Sequence, residues 1–97
     1  MAGYIHIFRN EVATGTYGAR AIAEYQLNYV VGGKSFAGSM DEARLEEFLV
    51  HDVGFTPDTT AEILDRVRLH GNVTLPDIEI RENEASAAGL REMPSDY

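Results

Sequence analysis

Glu24-Tyr25-Gln26-Leu27-Asn28-Tyr29-Val30-Val31-Gly32-Gly33-Lys34-Ser35-Phe36-Ala37 is the stretch that decides the fold of this chain. Tyr25, Leu27, Tyr29 and Val31 recur with a period of two, and Glu24, Gln26 and Asn28 fall between them. That period puts the first set on one face of a strand and the second on the other. Gly32-Gly33 follows, where positive φ carries no steric cost, and Lys34-Ser35-Phe36-Ala37 returns. The stretch therefore reads as a two-residue β-hairpin.

Upstream, Tyr4-Ile5-His6-Ile7-Phe8 is a short β-branched and aromatic run, and it reads as a strand. If Ile5 and Ile7 face the core, Tyr4, His6 and Phe8 face out beside Gln26 and Asn28. Residues 10–21 hold Gly15 and Gly18 and read as a turn or an interrupted strand. Downstream the period changes to that of a helix. Ser39 and Glu42 have the spacing of a capping box. Leu45, Phe48, Leu49 and Val53 follow at helical spacing, and Gly54 supplies a left-handed stop. Thr56 and Pro57 open a second helix as N-cap and first helical residue. Its apolar stripe reads as Ala61, Leu64 and Val67 with Ile63 flanking, and Gly71 ends it. Residues 73–80 read as a last strand, with Pro76 favouring an edge or a bulge.

The expected fold is α+β: a small antiparallel sheet of three or four strands with two helices on one face, in the order β-β-β-α-α-β. Residues 1–82 form the single domain of this reading, and 83–97 a mobile tail in which the apolar pattern fades. Ninety-seven residues suffice for one domain.

Composition narrows the function classes. The chain has no cysteine, which removes disulfides and thiolate chemistry and is compatible with a reducing cytoplasm. The N-terminus lacks the basic-then-apolar pattern of a secretory signal, and no apolar run approaches a membrane span. The expected location is cytoplasmic. Net charge is −8 and unevenly placed. Residues 1–40 carry three basic and two acidic side chains, whereas 41–97 carry five basic and fourteen acidic ones. Such acidity argues against direct binding of DNA or RNA and favours a basic protein surface as partner.

Catalytic and metal signatures are absent from the sequence. His6, His51 and His70 have no ligand partner at diagnostic spacing, and no calcium loop is present. Ser35 and Ser39 lie in no nucleophile elbow or phosphate loop. Gly15-Thr16-Tyr17-Gly18 has the glycine spacing of an RNA-clamping loop, but its flanks read as strands rather than helices. No enzyme activity, metal or cofactor is expected. The candidate partner-binding residues are the helical carboxylates Glu42, Glu46, Glu47, Glu62 and Asp65, with the aromatics Tyr4 and Tyr17.

The run Val30-Val31-Gly32-Gly33-Lys34-Ser35, the helix around Leu45-Glu46-Glu47-Phe48, a short break and a second amphipathic helix together resemble compact phage-encoded anti-CRISPR inhibitors of type I systems. The resemblance covers residues 25–71. It implies a non-catalytic inhibitor that occupies a basic nucleic-acid-binding surface of an effector complex, with Tyr4 and Tyr17 placed as sheet-face tyrosines. Asn28 departs from the pattern, standing where an acid is expected. The alternative is a homo-oligomeric structural protein, a homodimer at its simplest, that uses the open sheet face.

Overall fold

The computed structural model describes residues 2–14 and 20–93, with the backbone alone at 11–14 and 20–23. Strands β1 (Gly3–Thr14), β2 (Arg20–Val31) and β3 (Lys34–Met40) are followed by helix α1 (Glu42–Glu47), which runs on as a π-helical turn (Phe48–Val53). Helix α2 (Pro57–His70), strand β4 (Asn72–Ile78), helix α3 (Glu82–Ala87) and strand β5 (Arg91–Glu92) complete the order. All pairings are antiparallel, and the sheet order is β4-β1-β2-β3-β5. The α+β class and the antiparallel sheet match the sequence reading. The count does not: among the described residues there are five strands and three helices, and the order continues past β4 with a helix and a strand.

The hairpin of β2 and β3 is the expected one. Gly32 and Gly33 both have positive φ, 55° and 80°, and Val31 pairs with Lys34 across the turn. Two such residues in succession match the right-handed twist of the flanking strands. Tyr25, Leu27 and Tyr29 are buried, together with Ile5 and Ile7 opposite them. Of residues 10–21, which read as a turn or an interrupted strand, 10–14 and 20–21 lie in unbroken strands, and 15–19 lie outside the described residues. β1 runs to Thr14 and β2 starts at Arg20, so beyond the reach of β3 and β4 the two continue as a two-stranded ribbon.

Helix entry and exit follow local chemistry. Asp41, not Ser39, caps α1: its carboxylate accepts the Arg44 N–H at 2.8 Å. Ser39 belongs to β3 and pairs with Gln26. Phe48 and Leu49 are both fully buried although adjacent. The wider π-turn serves that arrangement, and its end is closed by the Gly54 and Phe55 N–H groups, which both donate to the Leu49 carbonyl. Thr56 caps α2 by accepting the Thr59 N–H at 3.1 Å, with Pro57 first in the helix and Gly71 left-handed at its end. The buried stripe of α2 is Thr60, Ile63, Leu64 and Val67. Ile63, Leu64 and Val67 are as expected, whereas Ala61 is exposed and Thr60 takes its place.

β4 is an edge strand, and Pro76 sits in a bulge. The register against β1 shifts between Gly3 and Ile5, and Asp77 takes a left-handed φ of 58°. Residues 83–93, read from the sequence as part of a mobile tail, carry all but the first residue of α3, and β5. Ala85, Ala88 and Leu90 join the main core. Leu90 and the Gly89 carbonyl lie directly over Gly38, where a Cβ would come within 2.6 Å of that carbonyl oxygen. Glycine at 38 is what lets this segment close on the sheet. The helices cover the face carrying Ile5, Ile7, Tyr25, Leu27 and Tyr29. Among the described residues, no helix is long and apolar enough to cross a membrane.

Candidate functional site

Residues 41–70 carry eight carboxylates and three arginines, and they build the layer that covers the sheet. The structure divides the five carboxylates singled out above. Glu42 is part of the architecture. It accepts a hydrogen bond from the Tyr25 hydroxyl at 3.0 Å and from Arg68 Nε at 2.8 Å, joining β2, α1 and α2. Asp65 accepts from the same guanidinium at 3.0 Å. Glu47 lies 4.0 Å from Arg44 and remains exposed. Glu46 and Glu62 are exposed on α1 and α2. Glu46 and Glu47 line a shallow groove with Ala43, Val50, His51 and Pro57. The outward carboxylate surface is therefore Glu46, Glu47, Glu62 and Asp65, the last still 75% exposed beside Arg68, while Glu42 is held between Tyr25 and Arg68.

Burial pushes the Tyr25 phenol above its ordinary pKa, and the hydrogen bond to Glu42 adds to this while Arg9 pulls the other way. Arg68 is raised by Glu42. Lys34 is raised by Glu82, 2.7 Å away, with Glu92 adding to it. A raised phenol contributes stability that is complete below the unfolded-state value and lost as pH rises through the folded value. Tyr25→Phe is therefore expected to cost about 1 kcal/mol at pH 7 through the lost hydrogen bond. That deficit should shrink above about pH 10, where the unfolded phenol ionises. Urea titrations of both chains between neutral and alkaline pH check it; a deficit constant with pH would contradict the assigned role of Tyr25.

Among the described residues, no helix lies on the opposite face of the sheet. Tyr4, His6 and Phe8 project there, as expected from strand parity. His6 and Phe8 stack with ring centroids 4.1 Å apart, and Tyr4 is 44% exposed. Strand pairings align one row across all five strands: Thr74, His6, Asn28, Ala37 and Arg91. Asn72, Phe8, Gln26 and Ser39 form the next row on one side, and Tyr4, Val30 and Ser35 the next on the other. Arg91 is the single charged residue in these three rows. Tyr4 and the helical carboxylates thus lie on opposite sides of the sheet, and no single flat contact includes both. Tyr17 and the Gly15–Gly18 segment lie outside the described residues.

The sequence reading did not find Arg68, whose partner Glu42 is 26 positions away, nor Arg91 at the end of the central row. Neither relation leaves a local pattern. Among the described residues, no three histidine, aspartate or glutamate side chains converge as a metal-binding group. No family model, curated protein or solved structure matches this chain.

Proposed function

We propose that the chain is a small non-enzymatic binding module that docks its acidic helical layer on a basic, nucleic-acid-binding surface of another protein. The observation that carries this reading is the segregation of charge. The exposed carboxylates Glu46, Glu47 and Glu62 lie on the helical side, whereas three rows of the opposite face hold a single charge, Arg91. A rigid body with one anionic side competes with phosphate for a cationic groove and is steered to it at long range. The resemblance of the hairpin and two following helices to type I anti-CRISPR inhibitors supports a type I effector complex in the cytoplasm as the partner.

The test is a mobility-shift assay with a purified type I effector complex and its duplex DNA target. Excess protein is expected to abolish the shifted band. The triple variant Glu46→Lys, Glu47→Lys, Glu62→Lys is expected to raise the concentration needed by roughly 100-fold, with its thermal transition retained. Inhibition should also weaken as salt rises, because exposed charge contacts are screened. A folded triple variant that inhibits as well as the parent would remove the acidic layer from the contact. No inhibition by the parent chain would remove the effector complex as partner.

A further inference from the structure

We propose that the outer edge of β3 is a strand-addition site for an extended peptide of another protein, and that the chain's own C-terminal segment is the plug that keeps it closed. The segment is seated there as such a peptide would be. β5 runs antiparallel to β3, pairing Glu92 with Phe36 and Arg91 with Ala37, and the Met93 N–H donates to the Ser35 carbonyl at 2.7 Å. Among the described residues the pairing stops there, although β3 continues through Gly38, Ser39 and Met40. In strand addition the backbone ladder supplies affinity, and pockets for particular side chains supply specificity. Three features of this seat define what it accepts. The Gly89 carbonyl lies over Gly38, with Gly89 at a φ of 91°, so that place calls for glycine. Leu90 is 2% exposed and enters the core, so an apolar side chain must follow. Glu92 lies 3.8 Å from Lys34, which favours an acid two places later. The occupant is therefore an extended segment reading glycine, leucine, any residue, acid, the order that the chain itself presents at 89–92.

Two observations mark the edge as a docking place and the plug as removable. Glycine inside a strand weakens it and marks a close approach by another backbone. Gly38 is such a glycine: the three atoms nearest to a Cβ built there all belong to Gly89 and Leu90. Its smallness serves whatever lies over the edge and not the sheet itself. The segment, for its part, is held at few points. It bridges an open groove of about 440 Å³ bounded by Lys34, Phe36, Glu82 and Leu90. Its buried residues are Ala85, Ala88 and Leu90, and the bridges from Glu82 and Glu92 to Lys34 are exposed. Segments with few buried contacts and exposed hydrogen bonds open more readily than the whole domain unfolds. The Tyr29 hydroxyl holds the Ile80 amide just ahead of α3, which sets where the opening stops. The opposite edge of the sheet is unsuited to the same role. There β4 is interrupted by the Pro76 bulge and the left-handed Asp77.

Hydrogen exchange on the parent chain measures the opening. The Ala88, Leu90 and Met93 amides are expected to exchange through one shared opening, about tenfold or more faster than the Ile5 and Leu27 amides and with a weaker dependence on urea. Fluorescence anisotropy of a labelled heptapeptide with the sequence of residues 87–93 reads capture directly. Leu90→Ala removes the anchor of the plug and leaves β3 unchanged. The full-length variant is therefore expected to bind this peptide roughly 30-fold more tightly than the parent does. A peptide with aspartate in place of the leucine should bind neither chain. Gly38→Ala, added to Leu90→Ala, puts a Cβ where the carbonyl of any seated glycine must lie and should abolish the gain. The proposal is overturned if segment and core amides exchange together, if Leu90→Ala gains no affinity for the peptide, or if the double variant captures it as well. A dimer formed by exchange of segments between copies, with no peptide bound, overturns it too. None of these measurements involves an effector complex, so their outcome is independent of the docking of the acidic layer.

Discussion

Ending the chain after Arg81 is expected to cost about 4 kcal/mol of folding stability, a large part of what a domain of this size has. The removed segment contributes Leu90, Ala85 and Ala88, which are 2%, 0% and 7% exposed. Burial of a leucine side chain contributes about 1.5–3 kcal/mol and each buried methyl about 0.8 kcal/mol. Phe36, now only 6% exposed, would be uncovered as well. The edge of β3 would lose β5 and the hydrogen bond from the Met93 N–H to the Ser35 carbonyl, 2.7 Å long. An open edge of that kind pairs with other chains. The bridges from Lys34 to Glu82 and Glu92 are exposed and add little. Urea denaturation of the truncated and full chains provides the measurement, with Leu90→Ala in the full chain expected to account for about 2–3 kcal/mol of the loss. A truncated chain within about 1 kcal/mol of the parent would make the segment an appendage and not part of the domain.

This segment also shows where the sequence stops being readable. Its buried residues are two alanines and a leucine spread over six positions, too few for a periodic signal. They pack because Gly38, some fifty positions earlier, leaves room above the sheet. By contrast, the hairpin at Gly32-Gly33 was legible because strand period and turn chemistry are both local. So was the Thr56–Pro57 start of α2. The Ser39–Glu42 spacing did not yield the cap of α1, because Ser39 is paired with Gln26 in β3 and the helix is capped two residues later, by Asp41. The stripe of α2 differs at its first position alone, because hydropathy favours Ala61 over Thr60, whereas the helix buries Thr60 to 1% exposure.

The candidate surfaces divide along the same line. The acidity of residues 41–97 is a matter of counting, and the outward parity of Tyr4, His6 and Phe8 follows once Ile5 and Ile7 are assigned to the core. The row from Thr74 to Arg91 is not readable in this way, because it depends on the register of four separate pairings. Nor is the division of the carboxylates. Glu42 and Glu46 look alike in sequence, yet one is bonded to Tyr25 and Arg68 and the other is exposed. Tertiary contact turns one acidic run into part structure and part surface.

Tyr29→Ala is expected to cost about 5 kcal/mol, the largest effect of any single substitution considered. The side chain is 1% exposed and stacks on Phe36 with ring centroids 6.1 Å apart. Truncating an aromatic in such a place leaves a cavity that costs about 3–5 kcal/mol. A second loss is specific to tyrosine. The hydroxyl oxygen accepts the buried Ile80 N–H at 3.0 Å, and the O–H faces the Ile78 and Ile80 carbonyls, each 3.4 Å away. Its removal orphans a backbone donor, at about 1–3 kcal/mol. Tyr29→Phe keeps the ring and isolates that second loss, so it should cost about 1–3 kcal/mol by itself. Ile80 lies just before α3, so this hydroxyl fixes the chain where it leaves β4 for the C-terminal segment. The loss at Tyr29 and the loss of the C-terminal segment are therefore coupled. In the chain ended after Arg81, the Ile80 amide gains access to water, and Tyr29→Phe should cost less there than in the full chain. A double-mutant cycle by urea denaturation measures the difference. Equal costs in both backgrounds would mean that the hydroxyl acts on the sheet alone and that the C-terminal segment is held by Leu90 and Gly38 without it.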